Sequence, residues 1–380
     1  MSYFGNDAIN RVNIHTSIVA FAHGAGGIFF MAVLLSAGFS LAGALLAQAA
    51  MFAVRFCIRP LVLPIARRTG LRPLMVAGTF GMATQYLLLP QVDGVGLWLW
   101  LLIASVSLSE VIYFPVYHTY FTTLGDTDAR GRQIAVREAL SAVAGIVAPL
   151  VGAWAIVAGG THLAFYAVAA IQASAALPLI GVRNVRVVSQ APGVFRSARI
   201  GAALFAFDGW LAAAWLVVWQ GALFLVLDSS YAAYGGAMAL AGLVGAAYGL
   251  FLGRSIDAGR GRRAVIIAFT VFAAIVIWRA ASLPWPWLAV IANAAGALVM
   301  PLYAPVLGGA TYNLARAAPC ALRFNLTLEA AWDLGCTAAL LTTAGLLVWG
   351  VPAGVVTLLA LPALGAAATL LWRYYGPRPV

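Results

Sequence analysis

The sequence contains no lysine, and only 11 of its 380 residues are acidic. Charged residues make up 9% of the chain, against about 25% in an ordinary soluble domain. That shortage excludes a soluble enzyme or a soluble nucleic-acid-binding module, because too little polar surface is available to cover a globule. Cysteine is equally scarce. Cys57, Cys320 and Cys336 form no pair spacing and no metal motif, which excludes a disulfide-stapled fold and predicts three buried, inert thiols. No glycine-rich loop ending in Lys is present, so nucleotide hydrolysis is not expected. A membrane enzyme using His23 or His118 would need a nucleophile or metal-ligand cluster, and the spacing provides none. The chain is therefore expected to be no enzyme and to carry no cofactor or metal.

What the sequence has instead is apolar length. Hydrophobic residues are 63% of the chain and the mean hydropathy is +0.96. Twelve stretches, at approximately 13–37, 41–65, 73–92, 96–122, 134–158, 162–181, 200–226, 232–254, 264–282, 286–310, 325–349 and 353–373, approach or exceed the ~20 residues that cross a hydrocarbon core. An all-α integral membrane protein with little outside the bilayer follows, with lipid as its main surroundings.

The net charge of +11 comes from 22 basic residues, all Arg, and most of them fall in alternate connections. Arg67, Arg68 and Arg72 follow the second stretch, and Arg130 and Arg132 the fourth. Arg183, Arg186, Arg196 and Arg199 follow the sixth, Arg254, Arg260, Arg262 and Arg263 the eighth, and Arg316 and Arg323 the tenth. The opposite connections hold essentially only Arg279. The positive-inside rule then places both termini in the cytoplasm and requires an even number of crossings. The excess charge reads as topology, and no nucleic-acid partner is expected. Trp98, Trp100, Trp285 and Trp287 stand at the outer ends of stretches, where an aromatic belt belongs. The N-terminus is too polar for a cleaved signal peptide, and Asn325-Leu326-Thr327 falls on the cytoplasmic side, where it is no glycosylation site.

The longest polar segment, 183–199, is Arg-rich and broken by Pro192-Gly193. It divides the chain into an N-terminal unit 1–182, a cytoplasmic linker 183–199 and a C-terminal unit 200–380. The two units share a landmark: ARRTGLRP at 66–73 and GRSIDAGRGRR at 253–263 each follow the second stretch of their half, as in a duplicated six-span unit.

On these motifs the chain resembles the major facilitator superfamily of transporters over its whole length. The family's loop signature is matched in the second half by Gly253, Asp257, Gly261, Arg262 and Arg263, with a one-residue offset. In the first half Arg68, Gly70 and Arg72 match, while Leu63 and Arg67 stand where the signature has Gly and Asp. Ala144, Ala148, Pro149, Gly152 and Ala153 occupy the fifth-span pattern of proton-exchanging exporters with Ala in most Gly places; close helix packing explains the same residues. The exporters' fourth-span Arg is absent. The resemblance implies two pseudo-symmetric six-helix bundles around a central cavity that opens alternately to each side. It also places the second span beside the eleventh, and the fifth beside the eighth, across the bundle boundary.

Charges inside membrane helices cost about 2.5 to 3.5 kcal/mol each on insertion scales, so each invites a functional reading. Glu110, Glu138, Asp208, Glu329 and Asp333 are the acids within the stretches, and Arg55, Arg59 and Arg137 the bases. Helical spacing puts Glu110, Phe114, Tyr117, His118 and Phe121 on one face of the fourth span. This face, with His23 on the first span and Asp208 on the seventh, is the expected wall of a substrate and proton cavity. Arg55 and Arg59 are four residues apart on the second span, as are Glu329 and Asp333 on the eleventh. At ~1.5 Å per residue their depths agree, and they are expected to pair as Arg55 with Asp333 and Arg59 with Glu329 in a cytoplasmic gate. Pairing of the Arg residues with Glu110 or Glu138 is the open alternative.

The function expected from all of this is proton-coupled secondary transport of a small molecule by a monomer in a cell membrane, a bacterial cytoplasmic membrane being the natural setting. Export is one direction. Uptake of an organic anion or zwitterion, and a non-transporting sensor or assembly protein on the same fold, are the alternatives.

Overall fold

The computed structural model describes residues 7–124, 130–187, 191–252 and 261–376, and backbone alone at 121–122, 130–138 and 250–252. Among the described residues there is no strand. Helix α1 (Asp7–Ala25) passes through a 3-10 turn at Gly27–Phe29 into α2 (Phe30–Ser36). Then come α3 (Leu41–Ile58), a 3-10 turn at Arg59–Leu61 and α4 (Val62–Thr69). Next are α5 (Leu71–Leu88), α6 (Leu97–Leu124) and α7 (Arg130–Ser174). After the linker, α8 (Val194–Leu211) runs through a π-helical segment at Ala212–Val217 into α9 (Val218–Val226). The remainder is α10 (Tyr231–Leu252), α11 (Gly261–Ser282), α12 (Pro286–Gly296), α13 (Val299–Ala317), α14 (Ala321–Val348), α15 (Ala353–Thr357) and α16 (Ala360–Tyr374).

Ten helical stretches among the described residues are long and apolar enough to cross a membrane. Only helices or closed barrels satisfy their backbone polar groups in hydrocarbon, so the chain is a multi-pass helical membrane protein. The longest stretch, Ala139–Gly181, is 43 residues, about twice what one crossing needs. It breaks at Gly160, whose φ of 79° and ψ of 164° are not helical. The break falls in the gap at 159–161 that separates the fifth and sixth expected crossings. Helix α5 is not among the ten, because Arg72, Thr79, Thr84 and Gln85 make it more polar than its neighbours.

The packing repeats between the halves. Helix α1 packs on α7 as α8 packs on α14, and α3 packs on α6 as α10 packs on α12. The halves meet through α3 with α14 and α7 with α10. Small residues permit these approaches. A Cβ at Gly24 would lie 2.9 Å from Ala148 Cβ, and one at Gly152 would strike the Ala25 carbonyl. Across the α8–α14 contact, a Cβ at Gly209 would strike the Trp332 carbonyl and one at Gly335 the Ala206 carbonyl. On α10, Gly245 faces Ala297 and Gly249 faces open space, while Gly235 and Gly242 make the contact with α7. Replacing Gly335 with Ala is expected to destabilise the fold by about 1–3 kcal/mol through overpacking, read as a lowered unfolding midpoint in detergent. Gly249→Ala should leave that midpoint unchanged.

Both ends of the boundary between the halves are in contact. On one side Tyr231 donates to Ser36 Oγ at 3.0 Å and Tyr234 to the Ile28 carbonyl at 3.1 Å, and the Phe29 and Tyr234 rings lie 5.7 Å apart. On the other side Asn325 Nδ2 donates to Thr119 Oγ1 at 3.3 Å.

Two expectations need correction. Arg279 does not sit in a loop: it is 5% exposed within α11. Its Nη1 donates to the Trp215 carbonyl in the π-helical segment at 3.1 Å, and its guanidinium lies 3.6 Å from the Trp215 ring centre. Aromatic faces and a backbone carbonyl stand in the place of a counter-ion there. Cys57 is exposed, whereas Cys320 and Cys336 are buried as expected.

Candidate functional site

Four of the expected charges converge where α3, α6 and α14 meet. Arg55 is 3% exposed and Asp333 0%. Arg55 Nε donates to Asp333 Oδ1 at 2.6 Å, and its Nη2 contacts the same oxygen. On its other side, Arg55 Nη1 donates to Glu110 Oε2 at 2.5 Å. Arg59, one turn further along, gives Nε to Asp333 Oδ2 at 3.1 Å and also bonds that oxygen through Nη2. Its Nη1 is buried without a hydrogen-bond partner. Asp333 therefore bridges two guanidinium groups and links the halves. The Arg55 guanidinium also lies 5.0 Å from the Phe52 ring centre and 5.2 Å from that of Trp332.

The Arg55–Asp333 contact joins the residues the sequence pairs. The Arg59–Glu329 contact is not made: Arg59 turns to Asp333, which lies one turn deeper on α14. Arg59 keeps the regular helical bond from its backbone N–H to the Arg55 carbonyl, and its long side chain reaches back to the carboxylate that Arg55 also uses. Glu110 joins the same network, so both pairings considered for Arg55 occur together. The Glu138 side chain lies outside the described residues.

Glu329 lies on the same face of α14 as Asp333, 8% exposed. Its Oε1 is 3.8 Å from His118 Nε2 on α6. Tyr117 is buried, stacked on Tyr113 with ring centres 5.9 Å apart, and edge-on to His118. Asp208, partly exposed on α8, accepts hydrogen bonds from the Tyr303 hydroxyl at 2.7 Å and Trp332 Nε1 at 3.0 Å. Trp332 thus stands between the Arg55 network and Asp208. His23 is exposed on α1, next to the packing residue Gly24. Asp208 precedes Gly209 in the same way on α8. No contact joins His23 to the charged network among the described residues.

The sequence reading missed His15. It is fully buried, with Nδ1 2.7 Å from the Ala175 carbonyl and Nε2 2.7 Å from the Tyr113 hydroxyl. Its position within a polar N-terminal segment hid it. Trp332 was missed as well, since an aromatic beside Asp333 reads as packing.

The loop residues have a different setting. Gly70 takes φ +81° between α4 and α5, a region that favours glycine. Asn184 accepts from the Arg72 backbone N–H at 3.1 Å and donates to the Thr69 carbonyl at 2.9 Å. The Arg72 side chain donates to the Ile180 and Val182 carbonyls, and Arg186 to the Arg68 carbonyl. The first loop, lacking the signature Asp, is held by Asn184 of the segment after α7. Gly261 opens α11 against the Tyr375 ring, Arg262 lies 4.8 Å from the Trp372 ring centre, and Arg263 is exposed. Gly253 and Asp257 lie outside the described residues.

Two repeated helical halves are joined across their boundary by a buried ionic network. No family model and no curated protein sequence matches it. Solved structures do. The crystal structure of the E. coli fucose:proton symporter FucP matches with a TM-score of 0.68 at 13% identity, over 100% of both chains. That of the human organic anion transporter MFSD10 (TETRAN) matches with a TM-score of 0.67 at 16% identity, over 96% of this chain and 99% of that one. Both are major facilitator superfamily transporters, and the chain has the fold of that superfamily.

Proposed function

We propose that the protein is a secondary transporter that moves a small molecule by alternating access and draws on a proton gradient. The observation that carries the reading is Asp333 shared between Arg55 and Arg59 across the boundary of the halves. A buried network of this kind is weak evidence for stability, because desolvation offsets its attraction. It suits a contact that must break and re-form. In this reading the units are 1–182 and 200–380, joined by 183–199. Helix α5 and the two arms of α7 bring the crossings to twelve, and both termini lie in the cytoplasm. Arg55, Arg59, Glu110 and Asp333 lock the halves together. Asp208, Glu329 and His118 are the groups that exchange protons, and His23 on the first span is a further candidate. The superfamily fold of the proton-symporting and anion-transporting neighbours supports transport, and it supplies neither substrate nor direction.

The test begins with a thermal-shift screen of purified protein against metabolite, organic-acid and drug panels, since a ligand that binds the folded state raises its midpoint. The strongest ligand, radiolabelled, is then offered to proteoliposomes carrying a pH gradient. Accumulation that collapses with the gradient is the expected result. Stabilisation without any flux would favour a sensor or assembly protein on the same fold.

A further inference from the structure

The charges at the centre of the protein do not balance. Four of the 11 acids in the whole chain, but only two of its 22 Arg residues, lie there. Arg55 and Arg59 are taken up by Asp333 and Glu110. Asp208 and Glu329 make no direct ion pair with either Arg, and Arg55 acts on Glu329 only at longer range. The hydrogen bonds to Asp208 come from a Tyr hydroxyl and a Trp N–H. Both are neutral donors: they fix the carboxylate and leave its charge uncompensated. Glu329 is more than nine-tenths buried and accepts no hydrogen bond among the described residues. Its nearest basic group, His118 Nε2, is 3.8 Å away, beyond hydrogen-bond reach. A buried carboxylate without a hydrogen bond is costly, and a ligand with N–H donors or a positive charge would complete it.

The two acids belong to one place. Glu329 sits one helical turn before Trp332, whose indole holds Asp208, and acts electrostatically on Asp208. The rings there already accept a cation, since the Arg55 guanidinium lies over Trp332 and Phe52. Carboxylates flanked by aromatic faces are the chemistry that recognises organic cations. An organic anion would meet two carboxylates that have no direct Arg partner.

Resting on the transporter reading, we propose that the substrate is an organic cation, a protonated amine, guanidinium or onium compound, held by Asp208 and Glu329 against Trp332. The charged and titratable groups facing this site are Tyr303 from α13, Cys336 and Asp333 from α14, Glu110 and His118 from α6, and Arg55 from α3. Protons and the cation then compete for the same two oxygen pairs. Binding of the cation releases protons, and return of protons releases the cation, which makes the cycle an exchange of one for the other.

The test uses the purified full chain with tetraphenylphosphonium, a permanent cation, and tetraphenylborate, its anion of matched shape. Thermal shift and tryptophan fluorescence report binding, and a pH-sensitive dye in weak buffer reports protons. The cation is expected to bind with proton release, and its affinity to fall about tenfold per pH unit of acidification, the slope of one displaced proton. Asp208→Asn and Glu329→Gln should each weaken binding at least about tenfold, the loss of one charge contact of about 1.4 kcal/mol or more. Asp208→Glu, which keeps the charge, should retain proton release and shows that the site itself still folds. Binding of the anion instead of the cation, or cation binding indifferent to both neutralisations, overturns the proposal. Vesicle flux separates the two readings. Flux of anionic probes alone leaves the transporter reading standing and removes this one. Cation binding with proton release but no flux of any probe keeps the cation site and removes transport.

Discussion

Replacing Asp333 with Asn is expected to abolish transport and to cost about 3–5 kcal/mol of stability, the range for removing one partner from a buried ion pair. Asp333 is fully buried and receives hydrogen bonds from both Arg55 and Arg59, so its neutralisation strands positive charge in the interior. Glu110 compensates only Arg55, through Nη1. Arg59, which already carries one unbonded Nη1, would lose its acid. The double variant Asp333→Asn with Arg59→Gln should therefore recover much of the lost unfolding midpoint but not transport. That pattern separates a functional lock from a purely structural bridge. If the single variant unfolds no more easily than the parent and still transports, the bridge has neither role.

The second large effect is expected from tying the halves together. Thr119 and Asn325 touch at one end of the boundary, and Ser36 and Tyr231 at the other. Cysteine pairs at either position, placed in a chain with Cys57, Cys320 and Cys336 replaced by Ser or Ala, can be joined with a short bifunctional thiol reagent. Either cross-link should reduce flux to background, because each end must open in turn, and a reducible reagent should allow full recovery on reduction. Flux that persists with one end joined would place the pathway away from the boundary between α3 and α14 and between α7 and α10.

Apolar length and the pattern of Arg residues made the class of fold legible in the sequence, because hydrocarbon permits so few backbone solutions. The internal repeat is visible in the mirrored helix contacts. Arg55 with Asp333 was readable because four-residue spacing on two antiparallel helices leaves few registers. Arg59 was misassigned to Glu329, since depth counted along the backbone ignores the reach of an Arg side chain, which takes the carboxylate one turn deeper. Arg279 escaped for another reason. Charge counting treats an Arg near a helix end as a loop residue, and it cannot anticipate the Trp215 carbonyl of a π-helical segment together with the indole faces of Trp215 and Trp219. The long-range polar contacts of His15 with Tyr113 and Ala175, and of Asn184 with the 66–73 loop, join residues more than ninety positions apart. No local pattern encodes such pairs.

The most direct measurement of alternating access needs no substrate. Spin labels placed at Ser36 and Tyr231, and in a second sample at Thr119 and Asn325, report the distance across each end of the boundary by pulsed electron resonance. Two populations are expected at each pair, shifting in opposite directions between acidic and alkaline buffer, so that one end lengthens as the other shortens. Asp333→Asn should move both distributions toward the state open at the Thr119–Asn325 end. A single, pH-independent distance at both ends would contradict alternating access through this boundary.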